Sequence, residues 1–197
     1  MGALRAVPGE GAGRNLYLAL LHHPWLGKDG KAAAVSVTNL DILDLARSCR
    51  NYGLGGFFPI TPVEDQLFIL DKILEHWVRG AGAQSNPDRK AALDKVRPAR
   101  SLQEAVDWVE ARHGERPLIW GSSAAYDDGG RGKRRGRKKV QLPALISFDE
   151  ARKILYTRPS ILLLGTSHGL APEVIGQCDH LLPPLRAASS YNHLSVR

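Results

Sequence analysis

Apolar residues in this chain fall into short unbroken runs, separated by longer stretches in which they recur at helical spacing. "NLYLALLHH" (15–23) is such a run, bounded by turn signals, and predicts a strand buried on both faces. "VTNLDILDLARSCRNYGL" (37–54) places Leu40, Ile42, Leu43 and Ala46 on a helical stripe, with Asn39 or Thr38 as cap and Gly53 as stop. "GGFFPITP" predicts a second strand, and "VEDQLFILDKILEHWVRG" a helix ending at Gly80 with Trp77 on its apolar side. Residues 81–100 are polar and predict no element. "SLQEAVDWVEARHG" predicts a helix with Ser101 and Glu104 as a capping box and Trp108 in the core. "RPLIWGSS", "PSILLLG" and "DHLLPP" predict three further strands, with a helix capped by Ser147 over "SFDEARKILYTR" and a short helix near 170–177. Fully apolar strands alternating with helices predict an α/β fold, an open, mostly parallel sheet with helices on both faces. No internal repeat is visible. Residues 1–13, rich in Gly, Ala and Pro, are expected to be a flexible leader, and 14–197 one domain with a loop insertion near 127–143.

Composition narrows the class. A chain of 197 residues buries roughly 70% of its unfolded surface without staples. Cys49 and Cys178 are too few for a disulfide framework and lack zinc spacing, which favours a reducing, cytoplasmic setting and no metal. No apolar run approaches the ~20 residues that span a bilayer. The net charge of +7 is local: Arg131, Lys133, Arg134, Arg135, Arg137, Lys138 and Lys139 supply seven of the 27 basic residues, and removing them leaves the rest near neutral. Such a segment is suited to a polyanion, or is a solvated loop.

In an open parallel sheet, ligands bind beyond the carboxyl ends of the strands. Three of those loops, "WGSSAA" (120–125), "GTSHGL" (165–170) and "PPLRAASSYNHLS" (183–195), are small, polar and free of acids, so backbone groups are open to close approach. A pocket of this kind suits an adenosyl group better than a triphosphate. No phosphate-loop motif occurs, and "GLGG" (53–56) precedes a strand, so it is no dinucleotide fingerprint. Adjacent His22 and His23 alternate on a strand and point apart, against a shared metal site.

Leu163 to Gly169 and Leu182 to Val196 resemble the second and third motifs of the SPOUT class of S-adenosylmethionine-dependent RNA methyltransferases. "TNLDILDLARSCRNYG" resembles the first, with its recurring positions on Asp41, Arg47 and Gly53. The order of the three is similar to a small bacterial single-domain subgroup, sometimes fused to a tRNA guanine-N1 methyltransferase. The resemblance implies a C-terminal trefoil knot, S-adenosylmethionine as cofactor, tRNA or rRNA as substrate and a homodimer. It implies cofactor contacts at Ser122, Ser123, Gly165, Thr166, Gly169, Leu182, Leu194 and Ser195, and RNA contacts along the basic run. Arg47 would hold an RNA phosphate or stabilise a developing alkoxide, since a guanidinium is no general base. Asp41 would accept a proton from a base nitrogen or simply complement the helix dipole. His168 or His193 would take the proton, and Trp120, Tyr126 and Tyr191 lie towards the ligand.

The motifs also depart from the pattern. Asp41 replaces the usual Asn of the ribose-methylating branch, and Ser167 or His168 the usual Glu, so ribose 2'-O and base-nitrogen transfer both remain open. An RNA-binding assembly factor that keeps the fold without transfer is the alternative, and a nucleotide-binding regulator lacks an acidic ribose signature. In the resembling class the last helix runs on for several turns. The expectation is therefore that a form extended beyond Arg197 binds cofactor and dimerises more tightly.

Overall fold

The structure, a computed structural model, describes residues 11–23, 25–26, 32–122, 142–166 and 169–185. Strand β1 (Leu16–Leu21) lies second from one edge of the large sheet; a two-stranded antiparallel hairpin follows, β2 (Trp25–Leu26) with β3 (Ala32–Ala33). The remaining strands are β4 (Gly56–Ile60), β5 (Leu118–Ser122), β6 (Ala144–Leu145), β7 (Ser160–Gly165) and β8 (His180–Leu182). The large sheet has the order β4-β1-β7-β5-β8-β6, and every pair in it is parallel. The expected open parallel sheet is thus present. The hairpin and β6 are additions that two-residue strands could not announce in an apolar pattern.

Side chains alternate along the strands and divide the core in two. Tyr17, Ala19, Leu21, Ile119, Ile161, Leu163 and Leu181 face helices α5 (Leu102–His113) and α7 (Pro172–Ile175). Leu18, Leu20 and Phe57 face α1 (Asn39–Asn51), α2 (Glu64–Leu74) and α4 (Pro87–Leu93), while Trp120 and Leu182 face α6 (Phe148–Ile154) on the same side. Two buried faces explain why the strands read as continuous apolar runs.

The predicted helix signals act as the physics requires. Thr38 is the cap of α1, its hydroxyl accepting from Asp41 N, and Gly53 just past the end takes a left-handed φ of 65°. Ser147 and Glu150 form a complete capping box on α6. The box on α5 is only half formed: Ser101 accepts from Glu104 N, but the Glu104 carboxylate accepts from Arg100 N instead. Leu40, placed on the apolar stripe by spacing, is 61% exposed at the start of α1.

Residues 81–100 correct the sequence reading most. After α2 the chain makes a π-helical turn (Glu75–Arg79), with Gly80 N donating to Glu75 O, then forms α3 (Ala81–Ser85) and α4. Asn86 caps α4 and Pro87 opens it, a start signal present in "SNPD". The chain then runs parallel to β4, through bridges Phe57–Val96 and Ile60–Ala99. Val96 and Ala99 are buried there, so this stretch covers the outer edge of β4 and shields it from edge pairing. Trp120 is corrected as well: it is 2% exposed beneath α6 and belongs to the core. Trp77 and Trp108 are half-buried, each with an Arg guanidinium over its ring.

Candidate active site

Register fixes which strand ends meet. Leu21 of β1 lies beside Ile60 of β4 on one side and Gly165 of β7 on the other. Gly121 of β5 pairs with Leu163 and Leu181, and Ser122 pairs with Leu182 of β8. Because β7, β5 and β8 are neighbours, Gly165, Ser122 and Leu182 end side by side on one carboxyl edge. This is the edge at which a parallel sheet offers its free backbone groups to a ligand.

The β7 end is built for close approach. A Cβ on Gly165 would stand 2.5 Å from Gly169 C and 2.5 Å from Leu170 N, so the returning backbone lies directly on a bare α-carbon. Gly169 has φ 85°, a region that favours glycine, and its N–H donates to Thr166 O at 3.0 Å. The Thr166 hydroxyl donates to Leu21 O at 3.1 Å and ties this turn to β1. Leu170 and Ala171 then bury themselves in the core and anchor the far end. Gly165, Thr166, Gly169 and Ser122, small or polar, therefore form one edge with the backbone of Leu182, whose side chain is buried, and no carboxylate is among them, a surface that fits an uncharged adenosine or a cationic sulfonium. Ser123, His168, Tyr126, Tyr191, His193, Leu194 and Ser195, and the basic run 131–139, lie outside the described residues.

Asp41 and Arg47 occupy different parts of α1. Asp41 sits in the first turn, where its carboxylate accepts from the Thr38 hydroxyl. Its charge reaches His22, the residue just past β1, so this carboxylate stands near the carboxyl edge. Arg47 lies six residues on, about 9 Å along the helix axis. It is exposed, 3.8 Å from Asp44, and lines a groove with Arg50 and Arg89. The first motif therefore spans from the carboxyl edge into a cationic surface.

His22 carried no assigned role in the sequence, yet it is fully buried at this edge. Its N–H donates to Ile60 O, its carbonyl accepts from Val35 N, and neither ring nitrogen has a hydrogen-bond partner among the described residues. Burial pushes its pKa below the ordinary value, partly opposed by the nearby Leu20 backbone and then by the negative charge of Asp41. A histidine whose folded pKa is depressed takes up its proton more readily when unfolded. Its contribution is present above the unfolded pKa of about 6.5 and is lost as pH falls below it. His113, also lowered by burial, acts in the same sense. The urea midpoint is expected to drop between pH 7.5 and 5.5, and His22→Gln to make that drop smaller. An equal drop in both proteins would remove His22 as its source.

Cys49 and Cys178 are buried and unpaired, and burial raises both thiols to about 12, so neither is a nucleophile at neutral pH. Among the described residues no group of three His, Cys, Asp or Glu side chains could hold a metal ion, and no helix is long and apolar enough to cross a membrane.

A family model described as SAM-dependent RNA methyltransferase matches residues 15–197. The chain belongs to this family. The chain is 44% identical over 196 residues to the tRNA (guanine-N(1)-)-methyltransferase of Oleidesulfovibrio alaskensis, covering 98% of this chain and 42% of that protein. A Nitratidesulfovibrio vulgaris protein of the same name is also 44% identical, with 43% of it covered. The chain thus spans about two fifths of the length of these curated relatives. A protein of Aquifex aeolicus is 30% identical over 185 residues, with 93% of this chain and 83% of that protein covered. Among solved structures, a probable methyltransferase from Bordetella pertussis Tohama I has a TM-score of 0.55 at 15% identity, covering 95% of this chain and 90% of its own. A probable methylase family protein from Haemophilus influenzae Rd KW20 has a TM-score of 0.52 at 21% identity, covering 92% and 60%. These likenesses agree with the parallel-sheet architecture of the methyltransferase family.

Proposed function

We propose that this chain transfers a methyl group from S-adenosylmethionine to tRNA, on a base nitrogen or a ribose 2'-hydroxyl, in the cytoplasm and as a homodimer. The observation that carries the reading is the alignment of Gly165, Ser122 and Leu182 on one edge, in a chain whose family match runs from residue 15 to 197. The tRNA assignment draws on the printed names of the two longer relatives. The C-terminal knot that the motifs imply, and the roles of Leu194 and Ser195, belong to the same proposal.

The bound cofactor supplies an electrophilic methyl group on a sulfonium. The protein's contribution is mainly placement. Backbone groups at Gly165, Thr166, Gly169 and Leu182, with the hydroxyls of Ser122 and Ser195 and the adjacent Ser123, would hold the adenosyl moiety. None of Gly165, Thr166, Gly169, Ser122 and Leu182 carries a charge that would compete for the sulfonium. Aligning the acceptor in line with the methyl group, in a site cleared of water, lowers the barrier by removing orientational freedom. Asp41 or His193 would take the acceptor's proton, and Arg47 would hold a phosphate of the RNA. The run Arg131–Lys139 would recruit RNA by its charge alone, with the steep salt dependence of counterion release. Calorimetry with S-adenosylmethionine tests the cofactor half of this reading directly: saturable one-site binding is expected, and no heat of binding at millimolar cofactor would contradict it.

A further inference from the structure

We infer that a second RNA-binding surface lies on the opposite, amino-terminal edge of the sheet, where a cationic groove grips the sugar–phosphate backbone; the inference rests on the reading of the protein as an RNA methyltransferase. The groove, of about 310 Å³, is lined by Arg50, Lys95, Arg97, Trp108 and Arg112, with Asp94 as the one carboxylate in its wall. Its residues come from the end of α1, from the chain beside β4 and from the last turns of α5. None of Arg50, Arg97 and Arg112 has a carboxylate within 4.0 Å among the described residues, whereas Arg47, Arg100, Arg116 and Arg158 do.

The groove holds its cations in a particular way. The Arg97 guanidinium lies 4.6 Å from the Trp108 ring centroid and that of Arg112 lies 5.5 Å from it. A guanidinium held against an aromatic face can still turn in-plane N–H groups to phosphate oxygens, and Arg112 can do so while it also reaches the Tyr17 hydroxyl. Lys95 uses one ammonium proton on Leu54 O at 3.0 Å and keeps the others. Gly55 forms part of the lining as bare backbone, because a Cβ there would meet the Tyr17 ring at 2.4 Å.

The layout favours a polymer over a small anion. Arg50 also lines the neighbouring groove with Arg47 and Arg89, and Arg89 lies 4.0 Å over Trp77 in a second stack of the same kind. Arg50 is shared by the two open grooves, so the cations extend over more surface than one phosphate covers and can follow successive phosphates of a strand. β1, with six residues, separates this edge from the carboxyl edge by about 20 Å. A folded RNA spans both edges, and a mononucleotide does not. Phosphate contacts here would fix the orientation of the RNA without reading its sequence.

The test uses the double variant Arg97→Gln/Arg112→Gln in the whole chain, with an unmodified tRNA transcript as probe in fluorescence anisotropy across a salt series. The expected result is at least tenfold weaker tRNA binding at 0.1 M salt, with the slope of log K against log salt shallower by roughly one to two. S-adenosylmethionine affinity should be unchanged and Tm should fall by only a few degrees, as the loss of two guanidinium–ring contacts requires, and Arg97→Lys/Arg112→Lys should recover part of the loss in tRNA binding. Equal tRNA affinity and slope in wild type and Gln variant would overturn the groove alone. Competition by inorganic phosphate or pyrophosphate at micromolar concentration would overturn it in favour of a small-anion pocket. Failure of the wild type to bind tRNA at all would overturn the groove and the methyltransferase reading together.

Discussion

Replacing Gly165 by alanine is expected to weaken S-adenosylmethionine binding at least tenfold, a loss of about 1.4 kcal/mol or more. The reason is a backbone collision. The added methyl would stand 2.5 Å from Gly169 C and Leu170 N, and neither can swing aside as a side-chain tip can. Leu170 and Ala171 are anchored in the core, so the β7 end itself must open. Opening it moves the groups of Thr166 and Gly169 that the proposed cofactor site uses. Calorimetric titration of the folded variant is the measurement, and an unchanged Kd would mean that this turn does not form the site.

Truncating Ile161 to alanine should have the opposite profile. Ile161, the second residue of β7, is fully buried and flanked by Tyr17 on β1 and Ile119 on β5. Removing it leaves a cavity where strands and α5 meet, at a cost of about 2–5 kcal/mol, which lowers Tm by roughly 5–15 °C in a domain of this size. The strand end is several residues away, so the protein that remains folded should bind cofactor as the wild type does. Thermal unfolding and calorimetry on the two variants separate a site effect from a stability effect. A loss below about 1 kcal/mol for Ile161→Ala would show that the sheet centre repacks far more readily than a two-sided core does.

The elements legible in the sequence are those whose burial is complete. β1, β7 and β5 are covered on both faces, so their residues are apolar without interruption and the runs mark them directly. Caps were legible for the same local reason: Thr38 and Ser147 act through bonds to residues three positions on. The stretch beside β4 was hidden because only Val96 and Ala99 bury there, among Lys95, Arg97 and Pro98. Trp120 was misplaced because its place near a strand's carboxyl end says nothing about which face it takes, and α6 covers that face.

The site divides along the same line. The proposed cofactor edge rests on a local sequence signal, since each of its loops is small, polar and free of acid within a few consecutive residues. Register then brought Ser122, Gly165 and Leu182 together. The cationic groove was not legible, since Arg50, Lys95, Arg97 and Arg112 belong to three segments that only the fold assembles. The charge run at 131–139 drew attention instead, being contiguous. His22 was visible as a residue, but only its complete burial and its unpartnered ring give it a role in pH-dependent stability.

The central claim is methyl transfer to tRNA from a cofactor held at the carboxyl edge. It is tested most directly by incubating the protein with an unmodified tRNA transcript and methyl-labelled S-adenosylmethionine, then digesting the RNA for nucleoside mass spectrometry. One labelled nucleoside that appears with wild-type protein and falls sharply with Gly165→Ala is the expected result, and its mass pattern tells base from ribose. Saturable cofactor binding with no labelled nucleoside in any tRNA would contradict the claim and leave an RNA-binding protein that retains the methyltransferase fold.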